Sequence, residues 1–343
     1  MKTMKKIRYI FLALAAVTAV SCSKHNTDGP QPLNPYIFFE AGMSDIVETK
    51  TEQIPVDVFQ NDGTAFGVLG FYQKNAPIFN GYTNKIARVY REDGLYKYDN
   101  LAVWQGTSHR FSAFYPYDDD ELLSSVKVGT DDIPYIEYTQ PWYKSDMKDI
   151  LGAYTEVENA NPASVNKPVE LHFHHLLWAF NVVIKNSQTL EVTADEKIEN
   201  PSLIIKKITL SLGDFPKNAN LKLDQNFSVI PGSAVPEPES VILYSKETGE
   251  EVVSGEIGKF GPLLFIPVTS LTYKITVDYT TQSGFSDTFT YPASGYISVS
   301  SAFSKGQVYN LVIEKTNDKF FVGNINNDGN WDDWNQNVNH EFE

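Results

Sequence analysis

The chain has 343 residues, 42% of them apolar and 13% aromatic, with one cysteine and a formal net charge of −15. That acidity excludes broad binding to nucleic acid or to an anionic membrane face, since both demand clustered Lys and Arg; it suits an exported protein that must stay dispersed. A single cysteine excludes a fold stapled by disulfides, so stability must come from an apolar core, which this composition can supply.

In chain order, the first element is Met1–Arg8, "MKTMKKIR", which carries Lys2, Lys5, Lys6 and Arg8 and no acid. Tyr9–Val20, "YIFLALAAVTAV", is uncharged and mostly apolar. It is shorter than the roughly 20 apolar residues a membrane-spanning helix needs. A basic start, a short apolar core and small residues at the exit predict a secretory signal peptide over residues 1–21. Ala19 and Ser21 flank Val20 just before the only cysteine, Cys22, in a pattern that resembles a bacterial lipobox with Ala where Leu is commonest. On this reading Cys22 is acylated and starts the mature chain; the alternative is an ordinary signal peptide with an incidental cysteine. Residues 22–35 then form a tether, because Ser23–Asn34, "SKHNTDGPQPLN", is too polar to bury a core.

Beyond the tether, period-two alternation predicts strands. The segments are Tyr36–Glu40, Phe66–Tyr72, Phe111–Tyr115, Val169–Ile184, Ile204–Leu212, Leu263–Val268, Tyr273–Tyr279 and Gln307–Ile313. Turn clusters such as "NDGT", "REDG", "GDFPKNAN" and "TQSG" separate them. The best helix candidate is the short Asp118–Ser125, acidic at its start. Recurring short strands between turn signals predict an all-β chain of the sandwich class. Asn159–Pro168, "NANPASVNKP", is polar and holds two prolines. It divides the chain into an N-terminal sandwich, 36–166, and a C-terminal one, 167–343, with its tail.

Several constellations invite a chemical reading. His172 and His174 in "LHFHHLLWAF" share one face of a strand and could hold zinc or copper. They lack a third ligand at short spacing, so no metal is assigned. His175 falls on the other face, among core residues. "NINNDGNWDDWN", Asn324–Asn335, has the acid and amide density of a calcium loop but lacks the EF-hand register and its closing Glu, and Asx-rich turns look like this without metal. The acids of "YPYDDDE", Tyr115–Glu121, are sequence neighbours rather than a glycosidase pair held at a set separation. No nucleophile elbow, zincin or P-loop pattern occurs, so neither an enzyme nor a cofactor is expected. The tryptophans Trp104, Trp142, Trp178, Trp331 and Trp334 read as core or as a sugar-stacking platform. "VETKTEQ", Val47–Gln53, follows the first extended segment and offers Lys50–Thr51 to a trypsin-like protease; it also reads as a plain surface lysine.

In order, the lipobox, "YIFFEAG", "ETKTE", "FGVLGFY", "LYKYDNLAVW", "HRFSAFYPYD", "DMKDILGAY", "PVELHFHHLL", "FIPV" and "FSKGQVYNLVI" resemble the fimbrillin family of Bacteroidales. These are lipoprotein subunits of fimbriae in Porphyromonas and Bacteroides. The resemblance spans nearly the whole chain. It implies two transthyretin-like β-sandwich domains in tandem and assembly by strand exchange. An Arg- or Lys-specific protease would remove the first strand, within residues 36–47, by cutting after Lys50. Ile37 and Phe39 would be its plugs. A donor strand from the C-terminal tail, with Phe320, Phe321 and Val322 as candidates, would fill the emptied groove of the next subunit.

Partners implied are other fimbrial subunits, the outer membrane through the lipid, and a ligand on a host or bacterial surface. The expected location is the cell outer membrane, surface-exposed, in a fimbrium. The rival expectation is a surface lipoprotein that binds glycans and never polymerises.

Overall fold

The structure, a computed structural model, describes residues 35–43, 58–73, 76–105, 108–158, 167–189, 201–234 and 239–330. The readings at Cys22, Lys50 and Thr51 lie outside these residues.

The described chain is almost all β. The first strand, β1 (Phe39–Met43), is followed by β2 (Ala65–Tyr72), the two-residue β3 (Ala76–Pro77), β4 (Ala87–Glu92), β5 (Leu95–Lys97) and β6 (His109–Tyr115). The predicted helix forms as α1 (Asp120–Ser125): Asp119 stands just before it, and its carboxylate accepts from the amides of Glu121 and Leu122. This satisfies two of the donors that a helix start leaves unpaired. Then come β7 (Val126–Val128), β8 (Pro134–Thr139), β9 (Leu151–Val157) and β10 (Val169–His175).

These strands build one large sheet in the order β1-β10-β9-β6-β2-β4-β5, with β3 on β2; β1 and β10 run parallel and the rest antiparallel. The sheet is covered on both faces. Phe66 and Val68 of β2 join an apolar cluster with Phe111, Ala113, Leu151 and Phe173 on one side. Leu69 and Phe71 join Phe114 and a larger cluster on the other. A strand buried on both faces reads as a continuous apolar run, as "AFGVLGFY" does. Its glycines are part of that packing: a Cβ on Gly67 would stand 2.3 Å from the Phe114 ring.

The later strands are β11 (Trp178–Asn186), β12 (Ser202–Gly213), β13 (Asn218–Lys222), β14 (Val229–Pro231), β15 (Glu239–Val253), β16 (Ile257–Phe265), β17 (Leu271–Thr281), β18 (Ser286–Tyr291), β19 (Ile297–Val299), β20 (Gln307–Lys315) and β21 (Phe320–Asn330). Two sheets arise, ordered β16-β11-β20-β21 and β15-β12-β17-β18 with β19 on β17. Their inward residues, among them Phe180, Val182, Leu311, Ile208, Leu210, Ile275 and Val277, share one buried cluster, which makes this part a sandwich.

The two parts interlock along the chain. Val169–Ile184, which alternation presents as one strand, is two: β10 ends at His175 and β11 begins at Trp178, with buried Leu176 and Leu177 between. β10 joins the first sheet although it follows the Asn159–Pro168 boundary. β13 and β14 also reach back, and a fourth sheet runs β14-β13-β8-β7. Residues 218–222 pair there with 135–139.

Candidate functional site

The resemblance draws attention to the first and last strands. In the segment 36–43, "YIFFEAGM", alternation sends Ile37, Phe39, Ala41 and Met43 to one side. Ile37, Phe39 and Met43 are buried, Glu40 is exposed and Ala41 is half-buried. Phe39 meets Phe111 edge-on at a centroid distance of 5.6 Å, Tyr98 at 5.6 Å and Phe79 at 6.3 Å. Burying each such side chain contributes about 1.5–3 kcal/mol.

The backbone of this segment is held from both sides. On one, β1 forms a parallel ladder with β10, from Phe39 opposite Val169 to Met43 opposite Phe173. The Val169 amide donates to the Phe38 carbonyl at 2.7 Å. On the other, Ile37 N donates to Ala102 O and Trp104 N to Pro35 O, both at 2.9 Å. Two tyrosines lock it further. The Tyr98 hydroxyl donates to the Ile37 carbonyl at 2.7 Å and accepts from the Ala102 amide at 3.2 Å. The Tyr96 hydroxyl reaches the carbonyls of Ala41 and Phe59. Burial pushes the Tyr98 phenol up to about 12, which keeps it a neutral donor at ordinary pH. β1 therefore fills a slot between β10 and residues 96–104, and the slot offers both main-chain partners and an apolar floor.

At the other end of the chain, β21 lies at a sheet edge, antiparallel to β20, with Lys315 opposite Phe320, Glu314 opposite Phe321 and Ile313 opposite Val322. The three donor candidates differ in placement. Phe320 stacks on Phe289 at 4.4 Å and meets Tyr279 at 5.1 Å. Val322 and Ile325 also pack on the core. Phe321 is 46% exposed and carries the Lys319 ammonium 4.6 Å above its ring.

The remaining sequence readings fall into place individually. His172 is exposed, with Nε2 3.7 Å from Glu170 Oε2; His174 is half-buried with its ring 5.1 Å from Phe227. No group of three metal-ligating side chains gathers among the described residues. His175 is buried, as its face predicts, and its Nδ1 lies 2.7 Å from Asp149 Oδ2, a partner that no sequence spacing announces. Asn324–Asn330, read as a loop or turn, is instead part of β21, because the edge of β20 offers its backbone a partner. In "YPYDDDE", Asp118 pairs with Arg88 at 2.9 Å and Asp119 with Lys148 at 2.6 Å, while Asp119 also caps α1. Trp178 sits in the core; Trp104 meets His109 at 4.8 Å and Trp142 meets Phe215 at 6.1 Å.

Comparison with known proteins agrees with this architecture. The profile of the fimbrillin-like family matches residues 49–334. A crystal structure of a fimbrial protein from Bacteroides vulgatus is similar at TM-score 0.55 and 17% identity, covering 88% of this chain and 100% of that one. The fimbrial anchor protein Mfa2 from Porphyromonas gingivalis gives TM-score 0.37 at 12% identity, over 86% of this chain and 97% of that one. No curated protein sequence matches the chain.

Proposed function

This chain belongs to the fimbrillin-like family, and on that premise we propose that it is a structural and adhesive subunit of a cell-surface fimbria, assembled by donor-strand exchange once a protease has released its first strand. The family is one of fimbrial structural and adhesion proteins rather than enzymes.

In this reading the chain is exported with residues 1–21 as signal peptide, anchored in the outer membrane through lipid on Cys22, and cut between Lys50 and Thr51. Residues 22–35 are the tether. The observation that carries the reading is the seating of β1. Ile37 and Phe39 are fully or nearly fully buried, yet β1 is only five residues long, and the segment 35–43 is held by one short parallel ladder, two backbone bonds to residues 102–104 and two tyrosine hydroxyls. Such a strand can leave as a unit. Its departure would expose unpaired N–H and C=O groups together with an apolar slot, which is a template for an incoming strand. A donor supplies main-chain hydrogen bonds for affinity and alternate side chains for register. β21 is the donor in this proposal, with Phe320 and Val322 as its inward residues and Phe321 on its outward face. Head-to-tail contacts of this kind do not close on themselves and so build filaments. The partners are copies of this chain or related fimbrillins.

The test is brief trypsin treatment of the chain from Ser23 onward, followed by N-terminal sequencing and electrophoresis in mild SDS. A new start at Thr51 with a ladder of SDS-resistant oligomers is the expected result. Clean cutting at Lys50 with monomer only would reassign the chain to a tip, an anchor or a partner-dependent position. Resistance at Lys50 in the folded chain would overturn the processing step and favour the glycan-binding lipoprotein.

A further inference from the structure

Between the first sheet and the β14-β13-β8-β7 sheet lies a cavity of about 460 Å³, within the usual range for small-molecule sites of about 300–1,000 Å³. Leu69, Ile86, Val126 and Val128 form its apolar part, with Val128 the exposed one. Its polar side chains are Asn80, Tyr82, Asn84, Lys85 and Lys127. The lining thus holds two ammonium groups, two carboxamides and a phenol but no carboxylate, in a chain of net charge −15.

Three features of this cavity have no structural account. The Tyr82 hydroxyl is buried and makes no hydrogen bond, and a buried polar group in that state calls for a partner. Asn84 and Lys85 are consecutive residues in the left-handed region, at φ 54° and 61°. Asn tolerates that conformation, but Lys gains nothing from it. Backbone held this way is strained and clusters at ligand clamps. Among the described residues, neither the Asn84 nor the Lys85 side chain is spent on a hydrogen bond or ion pair. Lys127 is fixed from the opposite wall, donating to the Ser124 carbonyl at 2.8 Å. Asp99 is the acid whose charge reaches Tyr82, and it is not part of the lining.

We propose that this cavity binds the carboxylated residue of an acidic glycan, a uronate or a sialate. The ammoniums of Lys85 and Lys127 meet the carboxylate as point charges. The Asn84 carboxamide offers both donors and an acceptor, and Asn80, whose Nδ2 already donates to the Pro77 carbonyl at 2.9 Å, offers its second N–H and its oxygen, which suits vicinal hydroxyls. The Tyr82 hydroxyl gains the partner it lacks, and the C–H face of the sugar ring covers Val128, the exposed apolar residue of the lining. A bare oxyanion would engage the lysines and leave the phenol, the amides and the apolar wall unused. The site stands apart from strand exchange, since neither β1 nor β21 contributes to it.

Calorimetry on the uncut chain from Ser23 onward, with free N-acetylneuraminic acid, glucuronic acid, glucose and inorganic phosphate, tests the assignment. One of the two acidic sugars is expected to bind with a Kd of about 1 mM or below, and which one does so identifies the glycan. Lys85→Ala with Lys127→Ala weakens that binding about tenfold or more, and Tyr82→Phe about three- to tenfold. The lysines are exposed, so the double variant keeps the parent's urea midpoint. Binding of glucose or phosphate as tight as the acidic sugar, binding unchanged in both variants, or no heat from either acid overturns the proposal. Because the uncut chain is used, failure here leaves the strand-exchange reading intact, and the reverse also holds.

Discussion

The Tyr98 hydroxyl donates to the Ile37 carbonyl at 2.7 Å across 61 residues of chain, and accepts from Ala102 in the same place. One side chain thus holds both the first strand and the segment opposite it. Tyr98→Phe keeps the ring but removes both bonds, leaving a buried carbonyl and a half-buried amide short of partners at a cost of about 1–3 kcal/mol. The variant is expected to unfold at lower urea and to release the peptide that ends at Lys50 faster after cutting. Unchanged release would remove Tyr98 from the latch.

The same phenol gives a pH dependence with a definite sign. Its folded value is raised by burial to about 12, against an ordinary value of about 10. Its contribution is therefore complete below about pH 10 and is lost as pH rises toward about 12. Stability of the parent should fall across that window more steeply than that of Tyr98→Phe, as followed by denaturation at stepped pH. Parallel curves would show that the phenol is not the group responsible.

Phe39 is the plug with the aromatic neighbours. It is 3% exposed and touches three aromatic rings, so Phe39→Ala should cost about 3–5 kcal/mol in the uncut chain. Once β1 has been removed by cutting, the substitution can no longer matter. Parent and variant, both cut and separated from the peptide, should have the same urea midpoint. A difference that persists after removal would mean that the slot, rather than the strand, had been damaged.

Much of this end of the molecule is legible in the sequence, because burial follows the period of a strand. The alternation of "YIFFE" places Ile37 and Phe39 inward, and both are buried. The acidic start of Asp118–Ser125 marks a real helix and its cap. What alternation cannot carry is partnership. That β1 pairs parallel with β10, some 130 residues later, depends on chain return and not on local pattern. The break at Leu176–Leu177 is hidden because both residues are as apolar as the strands beside them, so no polar residue marks the corner. β21 misleads in the other direction. Its Asn-rich sequence has poor strand propensity, and the free edge of β20 orders it all the same. The partner of His175 is likewise a product of tertiary folding.

The donor candidates should separate by face. Phe320 stacks on Phe289 while Phe321 is 46% exposed. Phe320→Ala is expected to cost about 2–4 kcal/mol and Phe321→Ala under about 0.5. The same ranking should appear in the SDS-resistant ladder after cutting, with Phe320→Ala shortening it and Phe321→Ala leaving it unchanged. Equal effects on the ladder would mean that β21 enters its neighbour in another register, or does not enter at all.

His175 and Asp149 meet at 2.7 Å with side chains only 3% and 5% exposed. Burial raises the phenols of Tyr138 and Tyr115, and Asp149 adds to both, after Asp118 in the case of Tyr115. A carboxylate this deep is tolerable only while a partner answers it. His175→Leu leaves Asp149 buried and alone, which should cost about 3–5 kcal/mol. Replacing both, His175→Leu with Asp149→Leu, removes the stranded carboxyl along with the pair. It should therefore recover much of that loss, because a buried polar pair contributes little net stability beyond well-packed apolar side chains. Urea midpoints of the parent, the two single variants and the double variant form a closed cycle that measures the coupling. Strong non-additivity would make the pair an internal fastening where β10 ends. Additive losses would mean that the two side chains are neighbours held by separate partners.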